Sequence, residues 1–351
     1  MLNFKANINI SSEILNLISE IDEFKGKWDL YKNLVPERLE ILKKISTIES
    51  IGSSTRIEGA KLSNLEVEDL FGNINKQNFK SRDEEEVAGY AITMETVFDS
   101  YVDIKITENY IKQLHSMLLK YSTKDANHKG EYKKLSNSVE AFDQDGKSLG
   151  VVFQTVSPFD TPIEMERLIF WLKISFEEDL LHPLLVIGIF IVSFLAIHPF
   201  QDGNGRLSRI LTSLLLLKKG YAYIPFSSLE RVIEESKDFY YLSLRRTQIT
   251  LQDEAPDFES WLVFFLKSLK KQKDILLDKL EKDKFLMASI SGLSAQIVEI
   301  IKEKGKTNIS DIEDITKANR NTVKATLRKL VDDKYIVKHG KGRGVWYSLF
   351  K

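Results

Sequence analysis

The side chains best suited to chemistry lie together in one short stretch of this sequence, which reads HPFQDGNGRLSR and runs from His198 to Arg209. An apolar helix is predicted before it, at 184–197, and a second one after it, from about 206 to 219. The Gly-Asn-Gly segment 203–205 therefore lies just before a helix N-terminus. Free backbone N–H groups and the helix dipole favour an anion there.

A base, an acid and two cations surround this turn. His198 can act as a general base, and Asp202 can hold Mg²⁺ on a polyphosphate. Arg206 and Arg209 are three residues apart, so they share a helix face and can bind further phosphate oxygens. The alternative is a plain glycine turn with a solvated basic helix start, which does not explain these residue types at these offsets. The pattern predicts a nucleotide site with a base beside it.

The same stretch resembles the signature of Fic-domain proteins, His-Pro-Phe-x-(Asp/Glu)-Gly-Asn-Gly-Arg-x-x-Arg, and matches every defined position. The resemblance covers roughly residues 105–270 and implies a mainly α fold with one β-hairpin in the helical core. It also implies transfer of AMP from ATP, with Mg²⁺, to a Ser, Thr or Tyr hydroxyl of a protein, this chain itself included. We therefore expect a protein adenylyltransferase, a nucleotidyltransferase that performs AMPylation.

The resemblance implies a role for each matched position. His198 would deprotonate the target hydroxyl and Asp202 would coordinate Mg²⁺. The nucleotide would be bound by an anion hole of Gly203, Asn204 and Gly205 and by Arg206 and Arg209 at the outer phosphates. Kinase-like relatives that transfer the γ-phosphate carry lysine where this chain has Gly205, so AMP transfer is favoured. AMP removal stays open, because the same residues serve it.

Three features outside this stretch need interpretation, and two of them have an alternative. Tyr240 and Tyr241 resemble the tyrosine pair on the family's nucleotide side, but they also fit a helical core. The segment 133–155 alternates around an Asp-Gly dipeptide and predicts a hairpin. The resemblance makes this hairpin the flap that holds a target segment beside His198 by strand pairing, whereas a purely structural hairpin is the alternative. We interpret His182-Pro183 as the cap of the following helix.

A second motif precedes the core. The segment Ser54–Gly59 resembles the family pattern (Ser/Thr)-x-x-x-Glu-(Gly/Asn), which marks an autoinhibitory helix. By this resemblance Glu58 would pair with Arg209 and take the place of the γ-phosphate. The alternative is an ordinary glutamate at a helix end before a capping Gly59.

The predicted organisation has four segments: a helical region with the inhibitory motif at 1–104, the core at 105–270, a charged helical connector at 271–288, and a winged helix at 289–351. Ser11-Ser12, Pro36 and the neighbourhood of Asp83 each predict a helix start in the first segment.

The last segment combines three predicted helices with two strands, at 335–338 and 345–349, and is rich in Lys and Arg. The helix at 320–333 offers a recognition surface for DNA, with four candidate contacts: Arg320, Lys324, Arg328 and, on the wing, Arg343. Winged helices also dock proteins, so both uses stay open. The alternative function is accordingly a DNA-binding transcriptional regulator whose core is regulatory.

The composition excludes several classes of protein. The chain has 351 residues, 43% hydrophobic and 29% charged, with a net charge of −1, which excludes a globally basic nucleic-acid binder. Without cysteine it has no disulfide and no thiolate site, and from the lack of an apolar run in its first residues we expect no secretory segment. Its longest near-apolar run, 184–197, is too short to span a bilayer. We expect a cytoplasmic protein with no membrane partner. The protein target, the preferred base and the oligomeric state, a homodimer included, stay open.

Overall fold

A computed structural model describes residues 2, 10–34, 36–72, 79–142, 148–179, 181–287, 292–333 and 335–350. Helices make up most of this part of the chain, and a two-stranded hairpin lies within the core region, so the predicted mainly α fold is confirmed. The helices are α1 Ser12–Leu34, α2 Pro36–Ile57, α3 Asn64–Gly72, α4 Arg82–Ser100, α5 Glu108–Leu118, α6 Thr161–Glu177, α7 Pro183–Ile197, α8 Asn204–Lys218, α9 Leu229–Glu235, α10 Lys237–Gln248, α11 Glu259–Met287, α12 Leu293–Lys304, α13 Ile309–Thr316 and α14 Arg320–Asp332. The strands are β1 Ser138–Phe142, β2 Ser148–Gln154, β3 Ile336–His339 and β4 Trp346–Leu349.

The chain forms two compact units. The first comprises Met1–Gly26 and Thr47–Lys273, and the second comprises Lys27–Ser46 and Asp274–Lys351. These units divide the chain differently from the four predicted segments, because α1 and α2 contribute residues to both units. The four-segment division itself stays a prediction.

The first unit is built around α7, whose residues 184–197 are all buried. This helix contacts α6 on one side and α8 on another. Its N-terminus is capped by His182, whose side chain accepts a hydrogen bond from the Leu184 N–H, so the predicted capping role is confirmed. Among the described residues, no helix is both long and apolar enough to cross a bilayer.

The predicted hairpin is present in the first unit. Strands β1 and β2 pair antiparallel, with Ser138 opposite Gln154 and Phe142 opposite Ser148. The predicted tip, residues 143–147, lies outside the described residues. The role of this hairpin as a flap stays a prediction.

The second unit contains α12, α13 and α14 followed by the antiparallel pair β3–β4. Its core joins Ile297, Ile312 and Leu327 from the three helices with Ile41 and Ile45 from α2. This order of elements is the one that the sequence predicted, but the contribution of α2 was not expected. A helix more than two hundred residues upstream gives no local signal of which core it joins. The interpretation of this unit as a winged helix stays a prediction.

Candidate functional site

The turn between α7 and α8 holds most of the predicted site residues. His198 ends α7 in the left-handed region with φ 52°, and Gly203, with φ 80°, precedes α8. The second helix starts at Asn204 rather than near residue 206 because the Asn204 side chain closes the turn. Its Oδ1 accepts from the Phe200 N–H at 3.0 Å, and its Nδ2 donates to the Phe200 carbonyl at 2.7 Å.

This turn leaves backbone donors at the start of α8. The first helical hydrogen bond joins the Leu207 N–H to the Gly203 carbonyl at 2.9 Å. The N–H groups of Gly205 and Arg206 come before it and have no partner within the helix. The local geometry therefore leaves unpaired donors at a helix N-terminus, a position that suits an anion, and anion binding there stays a prediction.

The hydrogen bonds of His198 fix which ring nitrogen carries the proton. Nδ1 lies 3.2 Å from the Leu195 carbonyl, which can only accept, so Nδ1 is the donor and Nε2 keeps its lone pair. Burial lowers the pKa of His198 to about 4, against the opposing effect of the Leu195 hydrogen bond. The ring is therefore neutral at pH 7 and able to accept a proton at Nε2.

A second buried histidine, which the sequence analysis missed, supports the same turn. His115 stacks on the Phe200 ring with centroids 3.8 Å apart. Its Nδ1 accepts from the Gly130 N–H at 2.9 Å, so its Nε2 donates to the Asp202 carbonyl at 3.0 Å. Burial lowers the pKa of His115 to about 4. The only signal in the sequence was a histidine on the apolar face of α5.

The Asp202 carboxylate lies in a network of opposite charges. Its Oδ1 accepts from the Gly203 N–H and lies 3.2 Å from Nη2 of Arg206, and its Oδ2 lies 3.0 Å from Nη2 of Arg82. Glu86 joins both arginines, at 2.7 Å from Arg82 Nε and 3.0 Å from Arg206 Nη1. Burial alone would raise the pKa of Asp202, but Arg206, the Gly203 N–H and Arg82 together hold it below its usual value. The carboxylate is therefore ionised.

The two signature arginines have different partners. Arg206, only 2% exposed, pairs with Glu86 on α4 and with Asp202. Arg209, 3% exposed, binds the end of α2. Arg206 thus pairs towards α4 and Arg209 towards the end of α2. The binding of outer phosphates by both arginines stays a prediction. Arg206 pairs with Asp202, and Arg209 lies beside Gly205 in the first turn of α8.

The segment Ser54–Gly59, which is predicted to be inhibitory, contacts Arg209 through its two defined polar positions. Nη2 of Arg209 donates to Glu58 Oε1 at 2.8 Å and to the Ser54 carbonyl at 2.9 Å, while Nε donates to Ser54 Oγ at 2.8 Å. Burial opposes ionisation of Glu58, but the Arg209 guanidinium outweighs it and lowers the pKa of Glu58. Gly59, with φ 105°, follows directly. The four-residue spacing thus lets one helical turn bind one guanidinium.

Glu58 also lies directly against the N-terminal turn of α8. A Cβ atom built on Gly205 would overlap the Glu58 carboxylate. The carboxylate therefore occupies the space beside the free backbone donors, where a bound anion would otherwise lie. Arg209 Nη1 is buried without a hydrogen-bond partner among the described residues, so this nitrogen can still donate to a ligand.

The two tyrosines of α10 have different surroundings. Tyr240 is 3% exposed, and its ring packs against Trp261 and Phe264. Tyr241 is 38% exposed, with its ring 5.1 Å from that of Tyr240. Tyr240 therefore belongs to the core beside Arg209, and Tyr241 is the member of the pair with an exposed face.

Residues 105–216 of this chain match the Fic/DOC family. Protein adenylyltransferase Fic of Drosophila virilis is 29% identical over 204 residues, which are 58% of this chain and 38% of that protein. The protein of the same name from Drosophila melanogaster has the same identity and coverage. The chain thus spans 38% of the length of these curated relatives. These matches support a Fic domain within residues 105–216 of this chain.

Solved structures share the fold. A Fic family protein from Desulfovibrio desulfuricans G20 aligns with a TM-score of 0.61 at 23% identity, covering 98% of both chains. Fic-1 from C. elegans aligns with a TM-score of 0.57 at 19% identity, covering 76% of this chain and 70% of that one. At these identities the likeness concerns the fold.

Proposed function

We propose that this protein transfers AMP from ATP to a Ser, Thr or Tyr hydroxyl of a protein, itself included, and that Glu58 restrains the reaction. The observation that carries the proposal is the neutral His198, which lies in the turn between α7 and α8 and whose Nε2 keeps its lone pair. The names of the curated relatives support the same activity.

The reaction would use these groups as follows. The target hydroxyl oxygen attacks the α-phosphorus of ATP while its proton passes to Nε2 of His198. The bond from the α-phosphorus to the bridging oxygen breaks, and pyrophosphate leaves. General-base help of this kind contributes about 10²–10⁴ in rate. The N–H groups of Gly205 and Arg206 would stabilise the charge that develops on the phosphoryl oxygens.

The polar residues fit a magnesium ion only in part. Asp202 offers one carboxylate, and the described residues contain no cluster of three or more His, Cys, Asp or Glu side chains that could hold a metal by itself. Mg²⁺ characteristically binds one or two carboxylates plus substrate phosphates, so Asp202 fits a cation that arrives with ATP. Such an ion would neutralise phosphate charge. Because Oδ2 of Asp202 binds Arg82, that arginine would have to give up its contact.

The restraint by Glu58 follows from charge and space. Its carboxylate pairs with Arg209 and fills the volume beside Gly205. A γ-phosphate would need the same guanidinium, and its negative charge would be repelled by an ionised Glu58. ATP therefore binds in an unproductive position while Glu58 is in place. The exposed Tyr241 face suits the adenine ring, and Tyr240 supports it from below.

The test compares ATP labelled at the α-phosphate with ATP labelled at the γ-phosphate. With Mg²⁺ and Glu58→Gly protein, we expect protein-bound label from the α-position only. Label from the γ-position alone would indicate kinase chemistry instead. A parallel arm starts with AMP-modified protein, and net loss of AMP under the same conditions would show the reverse reaction to dominate.

A second function, DNA binding by residues 289–351, is favoured by one observation. Three cations spaced four residues apart, Arg320, Lys324 and Arg328, lie on the solvent-exposed face of α14. A helix with such a face suits the major groove and its phosphates. Arg343, predicted on the wing, has no described side chain. Duplex binding that weakens steeply with salt would support this function, and a cytoplasmic adenylyltransferase can carry it as well.

A further inference from the structure

A buried lysine lies beside the proposed base and takes no part in the chemistry described above. Lys133 is 3% exposed and forms no ion pair with any described residue. Its Nζ instead donates to three neutral oxygens: the Ile197 carbonyl at 3.0 Å, Asn137 Oδ1 at 2.9 Å and Thr155 Oγ1 at 2.8 Å. Burying an unpaired cation is costly, so its contacts must compensate.

The three acceptors belong to the hairpin and to α7, two segments whose relative position matters for the proposed reaction. Asn137 immediately precedes β1, Thr155 immediately follows β2, and Ile197 is the last residue of α7, directly before His198. Lys133 therefore binds both strands of the β1–β2 hairpin at its foot, and it also binds the peptide next to His198.

Further hydrogen bonds close this cluster. Thr155 Oγ1 donates to the Asn137 carbonyl at 2.7 Å. Asn137 Nδ2 donates to the Phe200 carbonyl at 3.0 Å, and the Lys133 N–H donates to the Pro199 carbonyl at 2.9 Å. The turn after α7 is thus joined to the foot of the hairpin at residues 197, 199 and 200. We call Lys133, Asn137 and Thr155 the hairpin clamp.

The charge of Lys133 also acts on the base. The charged groups that face His198 are Lys133, which lowers its pKa, and Glu58 and Asp202, which raise it. Burial lowers the pKa of Lys133 itself to about 8, so the amine is still mostly protonated at pH 7. A cation at this position disfavours protonation of His198 and keeps its Nε2 available.

We propose that Lys133 is a positioning residue, which fixes the β1–β2 hairpin to the turn that carries His198 and so sets where a target segment paired with the hairpin meets Nε2. This inference rests on the proposed transfer reaction. Lys133 acts through the turn and does not touch the nucleotide, so its loss should impair transfer to protein without weakening ATP binding. A displacement of about 1 Å at a reacting group can cost about 10²-fold in rate.

The experiment uses the full chain with Glu58→Gly and adds Lys133→Met, which removes the charge and the donors at similar length. Lys218→Met is the matched control, because Lys218 Nζ also donates to backbone carbonyls, those of Tyr101 and Val102, at the far end of α8. We expect Lys133→Met to lower self-labelling from α-labelled ATP by about 10²-fold, with the ATP dissociation constant within twofold. The control should change neither.

Two readouts without catalysis keep the inference testable if the chain labels nothing. Amide hydrogen exchange across 138–154 should accelerate in Lys133→Met, and the NMR titration of His198 should show a higher pKa. Thr155→Val removes one partner but keeps the cation, so it should accelerate exchange and leave the His198 titration unchanged. This milder variant also serves if Lys133→Met fails to fold.

The outcomes separate the two proposals. No labelling by any variant, with the exchange and titration shifts present, would overturn the transfer reaction and leave the clamp. Unchanged exchange and unchanged His198 titration in Lys133→Met would overturn the clamp. Equal losses of labelling and ATP affinity would also overturn it, because they would show a general structural defect.

Discussion

The turn between α7 and α8 and the exposed face of α14 both present arginines, but in opposite settings. Arg206 and Arg209 are 2% and 3% exposed, and each is bound to carboxylates. Arg320, at the start of α14, has 54% of its side chain exposed, although it also pairs with Glu313. Buried guanidinium groups are held in one position and are screened little by salt, whereas exposed ones exchange partners and weaken as salt rises. The first setting suits catalysis, and the second suits reversible binding to a polyanion.

The largest effect expected at the buried turn is the loss of the base. His198→Ala should lower labelling from α-labelled ATP by at least about 10²-fold, because Nε2 of His198 is the proposed acceptor of the proton from the target hydroxyl. ATP binding should persist, since the backbone donors of α8 remain. His182→Ala is the control, as His182 caps the other end of α7. Wild-type labelling by His198→Ala would exclude the base assignment.

Acid should weaken the same turn through its two histidines. Burial lowers the pKa of His115 and His198 to about 4, whereas an unfolded histidine titrates near 6.5. Between these values the unfolded chain binds more protons, so the free energy of unfolding decreases as pH falls from about 6.5 to 4. For the fully buried His115 the full loss is on the order of 3 kcal/mol.

Denaturant unfolding at pH 7 and pH 4.5 measures this effect. His115→Gln should be less stable at pH 7 but should lose less stability on acidification than the wild type. An equal loss in both proteins would mean that His115 takes up its proton while folded, and the assigned hydrogen bonds would then be wrong.

Removing the Glu58 carboxylate should have the next largest effect. Glu58→Gly should raise self-labelling about tenfold or more, because a charge-assisted hydrogen bond of about 1.5–3 kcal/mol no longer holds Arg209. Glu58→Asp keeps the charge on a shorter side chain and should activate less. Glu58→Gly combined with Arg209→Ala should lose the gain. A Glu58→Gly protein no faster than wild type would return Glu58 to the role of an ordinary helix-end residue.

The sequence predicted those parts of the site that have a local pattern, such as a helix period or cap, or that match a known motif. Periodicity and caps placed α7 and α8 to within two residues, and the motif resemblance paired Glu58 with Arg209 across most of the unit. His115, Arg82 and Lys133 were missed, because each reaches the turn from a separate element. Their sequence neighbours show only that His115 and Arg82 lie on helices and that Lys133 begins the hairpin segment. Which side chain meets which carbonyl is decided by tertiary packing, which a single sequence does not display.

Arg82 offers a smaller effect, since 48% of its side chain is exposed. If Mg²⁺ takes the place of Arg82 at Oδ2 of Asp202, Arg82→Ala should lower the Mg²⁺ concentration for half-maximal labelling about two- to fivefold, as expected for an exposed ion pair of 1 kcal/mol or less. Arg231→Ala, which breaks a comparably exposed pair with Glu49, is the control. Calorimetric titration of Mg²⁺ into protein with a non-hydrolysable ATP analogue should show the same shift. Equal Mg²⁺ dependence in both variants would mean that Arg82 does not compete for Asp202.

Substitutions on the exposed face of α14 should each have the smallest effect, which is a loss of affinity for DNA. Lys324→Ala and Arg328→Ala should each weaken duplex DNA binding several-fold and reduce the slope of log affinity against log salt by about one. Lys306→Ala removes an equally exposed charge from the same unit outside α14 and should leave both quantities nearly unchanged. Equal losses in all three variants would show attraction by overall charge without a defined face. If no duplex binds even at low salt, the exposed arginines do not serve DNA, and the protein-docking interpretation of residues 289–351 stands alone.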